Sequence, residues 1–432
     1  PGQPPAKKMT KKEIAKAAAE ARRQALAAVK KQEREERLEH QPWTPQVAES
    51  VVQSWVADVE QRAGVGVAAP PSCCFFTFAN SRHMMNCAAF TRDVTYMAAG
   101  FADSSVRVYN VAQLSQPAPA STSGGKGAGT SKQGAAGGSK GASAMEVDGR
   151  GGDPFEEDQQ PGVSYLHGHT APVHAVDFSH DARLLLSGAA DGTVRLWSPE
   201  LQAGLAAFRG HLLPVWDVAS GPLGYHFATA SADRTARLWS TDKMQTIRIF
   251  AGHQADVDVV RWHPNTHYIA TASSDRTVRL WDVCTGACVR FLVGLQAAPT
   301  SMSVSPDGRQ VAVGGEDGAI LIWDLGTARR LATLTGHVGP VWSLAHSWGD
   351  GACLASGGAD ETVRLWSLEQ IAASQKAAGA AAGGGGDDGA KPAKPLSLQP
   401  MSVYRTKSTP VSHVQFSFRN LLLGAGCFSL RQ

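Results

Sequence analysis

No apolar run in this 432-residue chain approaches the ~18 residues that a membrane-spanning helix needs, so no such helix is expected. An excess of one charge is also missing. Lys and Arg number 41 against 38 Asp and Glu, a net charge of +3, which excludes a protein whose whole surface is built to grip nucleic acid. Even that excess is local: residues 1–41 hold 11 Lys/Arg and 6 Asp/Glu, leaving the other 391 near −2. Cysteine is scarce, seven residues and an odd count, which excludes a disulfide scaffold and fits a reducing compartment. Cys73 and Cys74 adjoin, and Cys284 and Cys288 stand four apart without a second pair at zinc-ligand spacing. Buried, unreactive thiols are expected. The signatures GxxxxGKS/T, HExxH and GxSxG are absent, and the glycine run at 383–386 lies in a linker. Neither an initiator Met nor a signal-peptide pattern precedes Pro1, so the chain reads as a fragment whose start lies upstream.

What is there is repetition. Gly-His recurs at His169, His211, His253 and His337, spaced by 42, 42 and 84 residues, so one unit is silent and Leu295 stands at its place. Trp recurs at 197, 239, 281, 323 and 366. An Asp lies six residues before each: Asp191, Asp233, Asp275, Asp317 and Asp360. Within a unit, stretches such as "HAVDF", "LLLSGAA" and "TVRLW" alternate or run apolar, and Asp-Gly or Asp-Arg pairs mark tight turns. Four short strands per ~42 residues is the blade of a β-propeller. The units resemble the WD-repeat family, although only Trp281-Asp282 and Trp323-Asp324 spell its dipeptide.

Two degenerate units complete the count. "AAGFADSSVRVYN" sets Asp103 six residues before Tyr109, and "TPVSHVQFSFRNLLLGAGCF" supplies the last. The expected fold is all-β, a seven-bladed WD-repeat propeller over 73–432, closed by "CCFFTF" at 73–78 as outer strand of the final blade. Residues 112–162 and 369–400 are rich in Gly, Ala, Ser and Pro and are expected to be disordered insertions. Each follows the third strand of its blade, so both leave from one face and keep the other free. Residues 1–72 read as a charged extension and linker, helical over 7–40 on propensity, with Trp43 and Trp55 as anchors. Its apolar stripe is too thin for a coiled coil.

Four blades carry His, Ser or Thr, Asp and Trp at fixed offsets. The sets are His169, Ser187, Asp191 and Trp197; His211, Thr229, Asp233 and Trp239; His253, Thr271, Asp275 and Trp281; and His337, Ser356, Asp360 and Trp366. A hydrolase needs one such site, and four copies argue for a structural device. In the WD-repeat family the set is a buried hydrogen-bond chain from Trp to hydroxyl to His to Asp. The silent blade has Leu295 and Val313 in place of two polar members, a paired loss that avoids a half-satisfied network. Five residues after each histidine position stand His174, Trp216, Asp258, Thr300 and Trp342. This position faces partners in related propellers, and Trp is a frequent interface anchor; inward packing near the channel is the alternative.

Three stretches narrow the resemblance. "DRTARLWSTDKMQTIRIFAGHQADVDVVRWHPN" (233–265), "GFADSSVRVYN" (100–110) and "YRTKSTPVSHVQFSFRNLLLGAG" (404–426) resemble the family of fifth TBP-associated subunits of the general transcription factor TFIID. The likeness covers about 73–111, 163–368 and 401–432. It implies a nuclear, non-enzymatic scaffold without cofactor or metal, whose propeller holds histone-fold TBP-associated subunits during RNA polymerase II preinitiation complex assembly. It implies no small-molecule substrate, no membrane and no direct DNA contact by the propeller. The equivalent subunit of a histone-acetyltransferase coactivator complex is the sister reading. A WD-repeat substrate receptor of a ubiquitin ligase is the rival from another class, and no F-box is present to support it.

Overall fold

The computed structural model describes residues 70–114 (80 and 82 apart), 162–369 (350 apart), 371 and 396–428, with scattered positions between 53 and 66. The helix expected over 7–40, Trp43, Trp55 and most of both insertions lie outside the described residues.

The chain is a seven-bladed β-propeller, one sheet to a blade. A seam strand, β1 (Cys73–Ala79), comes first. Blade one holds β2 (Met85–Phe90), β3 (Tyr96–Phe101), β4 (Val106–Asn110) and β5 (Val163–Leu166), with one helical turn, α1 (Val111–Leu114), after β4. Blade two holds β6 (Val173–Phe178), β7 (Leu185–Ala189), β8 (Thr193–Ser198) and β9 (Ala203–Arg209). Blade three holds β10 (Val215–Ser220), β11 (His226–Ser231), β12 (Thr235–Ser240) and β13 (Lys243–Ala251). Blade four holds β14 (Val257–Trp262), β15 (Tyr268–Ser273), β16 (Thr277–Asp282) and β17 (Cys288–Val293). Blade five holds β18 (Pro299–Val304), β19 (Gln310–Gly315), β20 (Ile320–Asp324) and β21 (Arg330–Leu334). Blade six holds β22 (Val341–His346), β23 (Cys353–Gly358), β24 (Thr362–Ser367) and, beyond β25 (Leu396–Leu398), β26 (Ser402–Arg405). Blade seven holds β27 (His413–Phe416) and β28 (Leu422–Phe428).

Second strands are buried throughout because a neighbouring blade covers each face, and their residues are small for the same reason. A Cβ on Gly188 would stand 2.7 Å from Val218 and 2.9 Å from Val215 of the next blade. A Cβ on Gly357 would meet Val411 and Val414 at 2.6 Å. Outer strands read differently, with β13 exposed along most of its length. The turn after each second strand puts the residue following Asp at positive φ: Gly192 at 72°, Arg234 at 65°, Arg276 at 63°, Gly318 at 78°. The Asp closes that turn through its own carboxylate, as where Asp191 accepts from the Thr193 amide at 2.9 Å and its hydroxyl at 2.7 Å.

The seam differs in detail from expectation. β1 is the outermost of three strands, not four, and runs parallel to β28, with Cys73 opposite Leu422 and Ala79 opposite Phe428. In an antiparallel blade the fourth strand runs the same way as the second. With no described strand between them, β1 and β28 pair in parallel. Phe75, Phe76 and Phe78 still pack, partly buried, against blades one and seven.

The expectation of disorder across 369–400 fails at both ends of that segment. Ile371 is buried with Leu368, and β25 extends blade five as a fifth strand, parallel to β21. Leu-Ser-Leu is too short to stand out among Gly, Ala and Pro, yet Leu398 finds a place between blades five and six. The first insertion likewise opens with the ordered turn α1.

Candidate functional site

The four polar sets form chains inside their blades. Trp197, Trp239, Trp281 and Trp366 donate through Nε1 to Ser187, Thr229, Thr271 and Ser356 at 2.8, 3.1, 2.8 and 2.9 Å. Each hydroxyl lies 2.7 or 2.8 Å from Nε2 of His169, His211, His253 or His337. Nδ1 of each histidine lies 2.7–3.1 Å from Asp191, Asp233, Asp275 or Asp360. The Trp N–H can only donate and the carboxylate only accept, so a neutral imidazole that donates from Nδ1 to Asp and accepts at Nε2 from the hydroxyl satisfies every member of the chain. Burial pushes His169, His253 and His337 below the ordinary value, against the pull of their carboxylates. Burial also resists ionisation of Asp233 and Asp275, but hydrogen bonds from His and Thr win and hold both down to about 2. No hydroxyl here faces a substrate-sized opening as a nucleophile would. Each is spent between Trp and His.

The same corner explains the glycine of each Gly-His pair. Strand three brings an Arg two residues before the Trp, and its guanidinium passes over that glycine. A Cβ on Gly210 would stand 3.0 Å from Arg237, on Gly252 2.7 Å from Arg279, and on Gly336 2.6 Å from Arg364. Arg107, Arg237 and Arg364 also reach the Asp of their own turn, at 3.1, 3.4 and 3.5 Å. In blade five Leu295, Val313 and Leu321 stand at the His, hydroxyl and Arg positions and pack together with Trp323 in one apolar cluster. Gly294 there has open space around it. The polar members and the Arg are replaced as a group.

The five candidate partner-binding residues sit at one structural position. A β-bulge interrupts each inner strand there, between Val173 and Ala175, Val215 and Asp217, Val257 and Val259, Pro299 and Ser301, and Val341 and Ser343. The bulged residues are His174, Trp216, Asp258, Thr300 and Trp342, all lining the mouth of the central channel. The structure adds Asn86, bulged between Met85 and Cys87, and Ser412 at the matching place before β27. Gly-His counting missed both because their blades lack the dipeptide; counting back seventeen residues from Asp103 reaches Asn86.

Their surroundings separate them. His174 and Trp216 pack with ring centroids 4.8 Å apart and planes tilted by 48°, and the Trp216 indole N–H is buried without a partner among the described residues. Asn86 and Thr300 donate to the carbonyls of Val173 and Val341 at 2.9 and 2.6 Å, tying their blades to the next. Asp258 accepts from Ser274 at 2.7 Å, and burial, with Asp256 nearby, lifts its carboxyl to about 6. Trp342 is 43 % exposed. On the same face Leu212 and Val338, each next to a Gly-His histidine, are almost wholly exposed. Both insertions connect third to fourth strands, which end on the opposite face.

Below the mouth, the channel cavity of about 1110 Å³ is lined by polar groups that sequence reasoning did not single out. Asp177 accepts from the Ser220 amide at 2.7 Å and Asp217 from the Val260 amide at 2.9 Å, each one blade on. Arg261 pairs with Asp217. These are inter-blade clasps whose places recur with other residue types: Gln415 accepts from the Phe90 amide at 3.4 Å at the place of Asp177, and Ser343 from the Val414 amide at 3.0 Å at the place of Asp217, so counting by residue type does not find them. Among the described residues no group of three metal-ligating side chains comes together. The thiols depart from expectation: Cys73, Cys74, Cys284 and Cys288 are exposed on the seam strand and on blade four, while burial lifts Cys87 to about 12 and Cys353 to about 11.

Five stretches, 161–198, 204–240, 244–282, 286–324 and 328–367, match the WD domain, G-beta repeat family. The chain is 40 % identical over 160 residues to Transcription initiation factor TFIID subunit 5 of Arabidopsis thaliana, covering 37 % of this chain and 20 % of that protein. It is 37 % identical over 144 residues to the SAGA complex/transcription factor TFIID complex subunit Taf5 of Schizosaccharomyces pombe, 33 % of this chain and 17 % of that one. To the Drosophila melanogaster TFIID subunit 5 it is 36 % identical over 133 residues, 30 % and 16 % of the two lengths. The matched stretches thus span a fifth or less of those relatives.

Proposed function

From the premise that this chain carries a WD-repeat propeller of the TFIID subunit 5 kind, we propose that it is a non-enzymatic scaffold. In this reading it works in the nucleus within TFIID, and its propeller docks histone-fold TBP-associated subunits while the RNA polymerase II preinitiation complex assembles. The observation that carries the docking surface is the channel-mouth face. It gathers the exposed Trp342, Leu212 and Val338 on the side that neither insertion leaves from. Aromatic side chains on a rigid rim bind at low cost in conformational entropy, because the scaffold already fixes them. The chemistry of the four polar chains supports a role without catalysis, since every hydroxyl and imidazole in them is engaged.

A second reading has its own support. The fission yeast relative is named for both the SAGA and the TFIID complex, so membership of a coactivator complex stands beside membership of TFIID. Affinity purification of the full chain from nuclear extract, with mass spectrometry of what co-purifies, tests both. Recovery of TBP with histone-fold subunits supports TFIID, and recovery of an acetyltransferase without TBP supports the coactivator. Recovery of ligase adaptors in place of either would overturn the scaffold reading.

A further inference from the structure

One groove on the rim of the propeller is filled by the chain itself. β25 adds to the free edge of β21 in parallel, with Leu396 opposite Ala332, Ser397 opposite Thr333 and Leu398 opposite Leu334. Leu396 and Leu398 pack on the blade-six cluster of Trp366, Leu368 and Ile371. Each added side chain lies beside one of its own chemistry on β21, apolar by apolar and hydroxyl by hydroxyl.

Among the described residues nothing fills the corresponding groove between blades three and four. β13 ends its sheet, with Arg248 opposite Leu238 and Phe250 opposite Ala236, as Ala332 and Leu334 lie opposite Ile322 and Ile320 in blade five. Across the groove β17 presents Val289, Phe291 and Val293, 38, 49 and 60 % exposed. They face blade three: Phe291 pairs with Arg279, whose guanidinium lies 4.9 Å from the Phe291 ring and 5.9 Å from Trp281, and Trp281 packs on Phe250 at 5.7 Å. Arg279 makes no ion pair among the described residues, unlike its counterparts in blades one, three and six. Arg248 is exposed on the same side of β13, its Cδ 3.7 Å from where a Cβ on Gly286 would stand. The groove therefore offers an unpaired strand edge, an apolar wall and two cations.

We propose that the outer edge of β13 accepts an extended acidic–apolar–apolar segment of a partner protein as a fifth, parallel strand. The acidic side chain would lie beside Arg248, and the two apolar ones beside Ile249 and Phe250, the second covering Phe291. Backbone hydrogen bonds to the free edge supply affinity, and alternate side chains supply selection. Charge disfavours a second copy of this chain at the edge, because β13 carries Lys243 and Arg248 and no acidic residue to meet them.

The test uses the full chain and two labelled probes, the peptide Gly-Ser-Gly-Glu-Ile-Leu-Gly-Ser-Gly and its twin with Lys for Glu. Fluorescence anisotropy reads binding, and amide hydrogen exchange over 246–251 reads its place. Wild type should prefer the Glu probe and exchange more slowly at β13 when it is bound. Phe291→Ser should weaken binding by about fivefold or more, and Arg248→Glu should reverse the preference toward the Lys probe. That reversal cannot come from misfolding. Equal binding of both probes, unchanged exchange in β13, or protection that follows self-association of the chain would each overturn the proposal.

Discussion

A Cβ on Gly336 would stand 2.6 Å from Nη1 of Arg364, the guanidinium that also reaches Asp360 at 3.5 Å. The glycine of the Gly-His pair thus makes room for an arginine twenty-eight residues on, and Trp366 Cη2 closes the same space at 3.2 Å. Gly336→Ala should cost about 1–2 kcal/mol by displacing that side chain. In an Arg364→Ala background the penalty should shrink by at least about half, a coupling that a double-mutant cycle of denaturant midpoints would measure. Strict additivity would mean that the glycine answers to something else.

Blade five supplies the control for the polar chain. Asp275 holds His253 at 2.9 Å, whereas Asp317 has Leu295 at the histidine's place and accepts only from the Ala319 amide, at 3.1 Å, among the hydrogen bonds of its turn. Asp275→Ala should cost about 1–3 kcal/mol by leaving a buried imidazole without its acceptor. Asp317→Ala should cost less than half of that. Equal losses would place the whole contribution in the turn and none in the chain.

Stability should also respond to pH through the channel. Burial lifts Asp177 to about 6, above its unfolded value near 4. Its contribution is therefore fully present below about pH 4 and is lost as pH rises through about 6, because the unfolded chain ionises first. Asp177→Asn should then raise the melting temperature at pH 7.5, by a free energy on the order of 1–2 kcal/mol, and leave it unchanged near pH 4. His346 works in the opposite sense: burial lowers it to about 4, so stability falls as pH drops from about 6.5 toward 4. A melting temperature for Asp177→Asn that tracks the wild type from pH 4 to 8 would contradict the assignment.

Two deletions separate the packed ends of the insertions from their middles. Removing 115–160, or 373–395, should shift the melting temperature little, since loop length enters stability only logarithmically. Extending the second deletion through 400 removes β25, exposes Leu334, and should cost about 2–4 kcal/mol. Removing the chain through residue 80 takes away β1, with Phe75 lying against Gly424 and Gly426, and should cost several kcal/mol and promote association through the bared edge of β28. A monomer of unchanged stability would refute the seam.

What recurs at 42 residues was legible in the sequence, and what crosses between blades was not. His253, Thr271, Asp275 and Trp281 answer to one another within a blade, so their spacing repeats and reveals them. Asp177 and Asp217 clasp the amides of the following blade, and Arg261 joins them, but Gln415 and Ser343 take the same parts in blades seven and six, so no single residue type marks the places. The bulge that turns Trp216 and Trp342 into the channel mouth leaves no mark on composition, although its position is constant. β25 escaped because three residues carry it. The parallel seam escaped because alternation identifies a strand and not its direction.

The central claim is that the polar chains hold the fold while the channel-mouth face holds partners. Trp342 decides it, being exposed where Trp216 is half-buried against His174. The measurement is capture of a purified histone-fold subunit pair by the full chain, with the melting temperature of each variant recorded beside it. Trp342→Ala should weaken capture by about 2 kcal/mol, roughly thirtyfold, at an unchanged melting temperature. Asp275→Ala should lower the melting temperature and leave the affinity of the folded fraction intact. If Trp342→Ala binds as the wild type does, or melts as early as Asp275→Ala, the channel mouth is not the docking face.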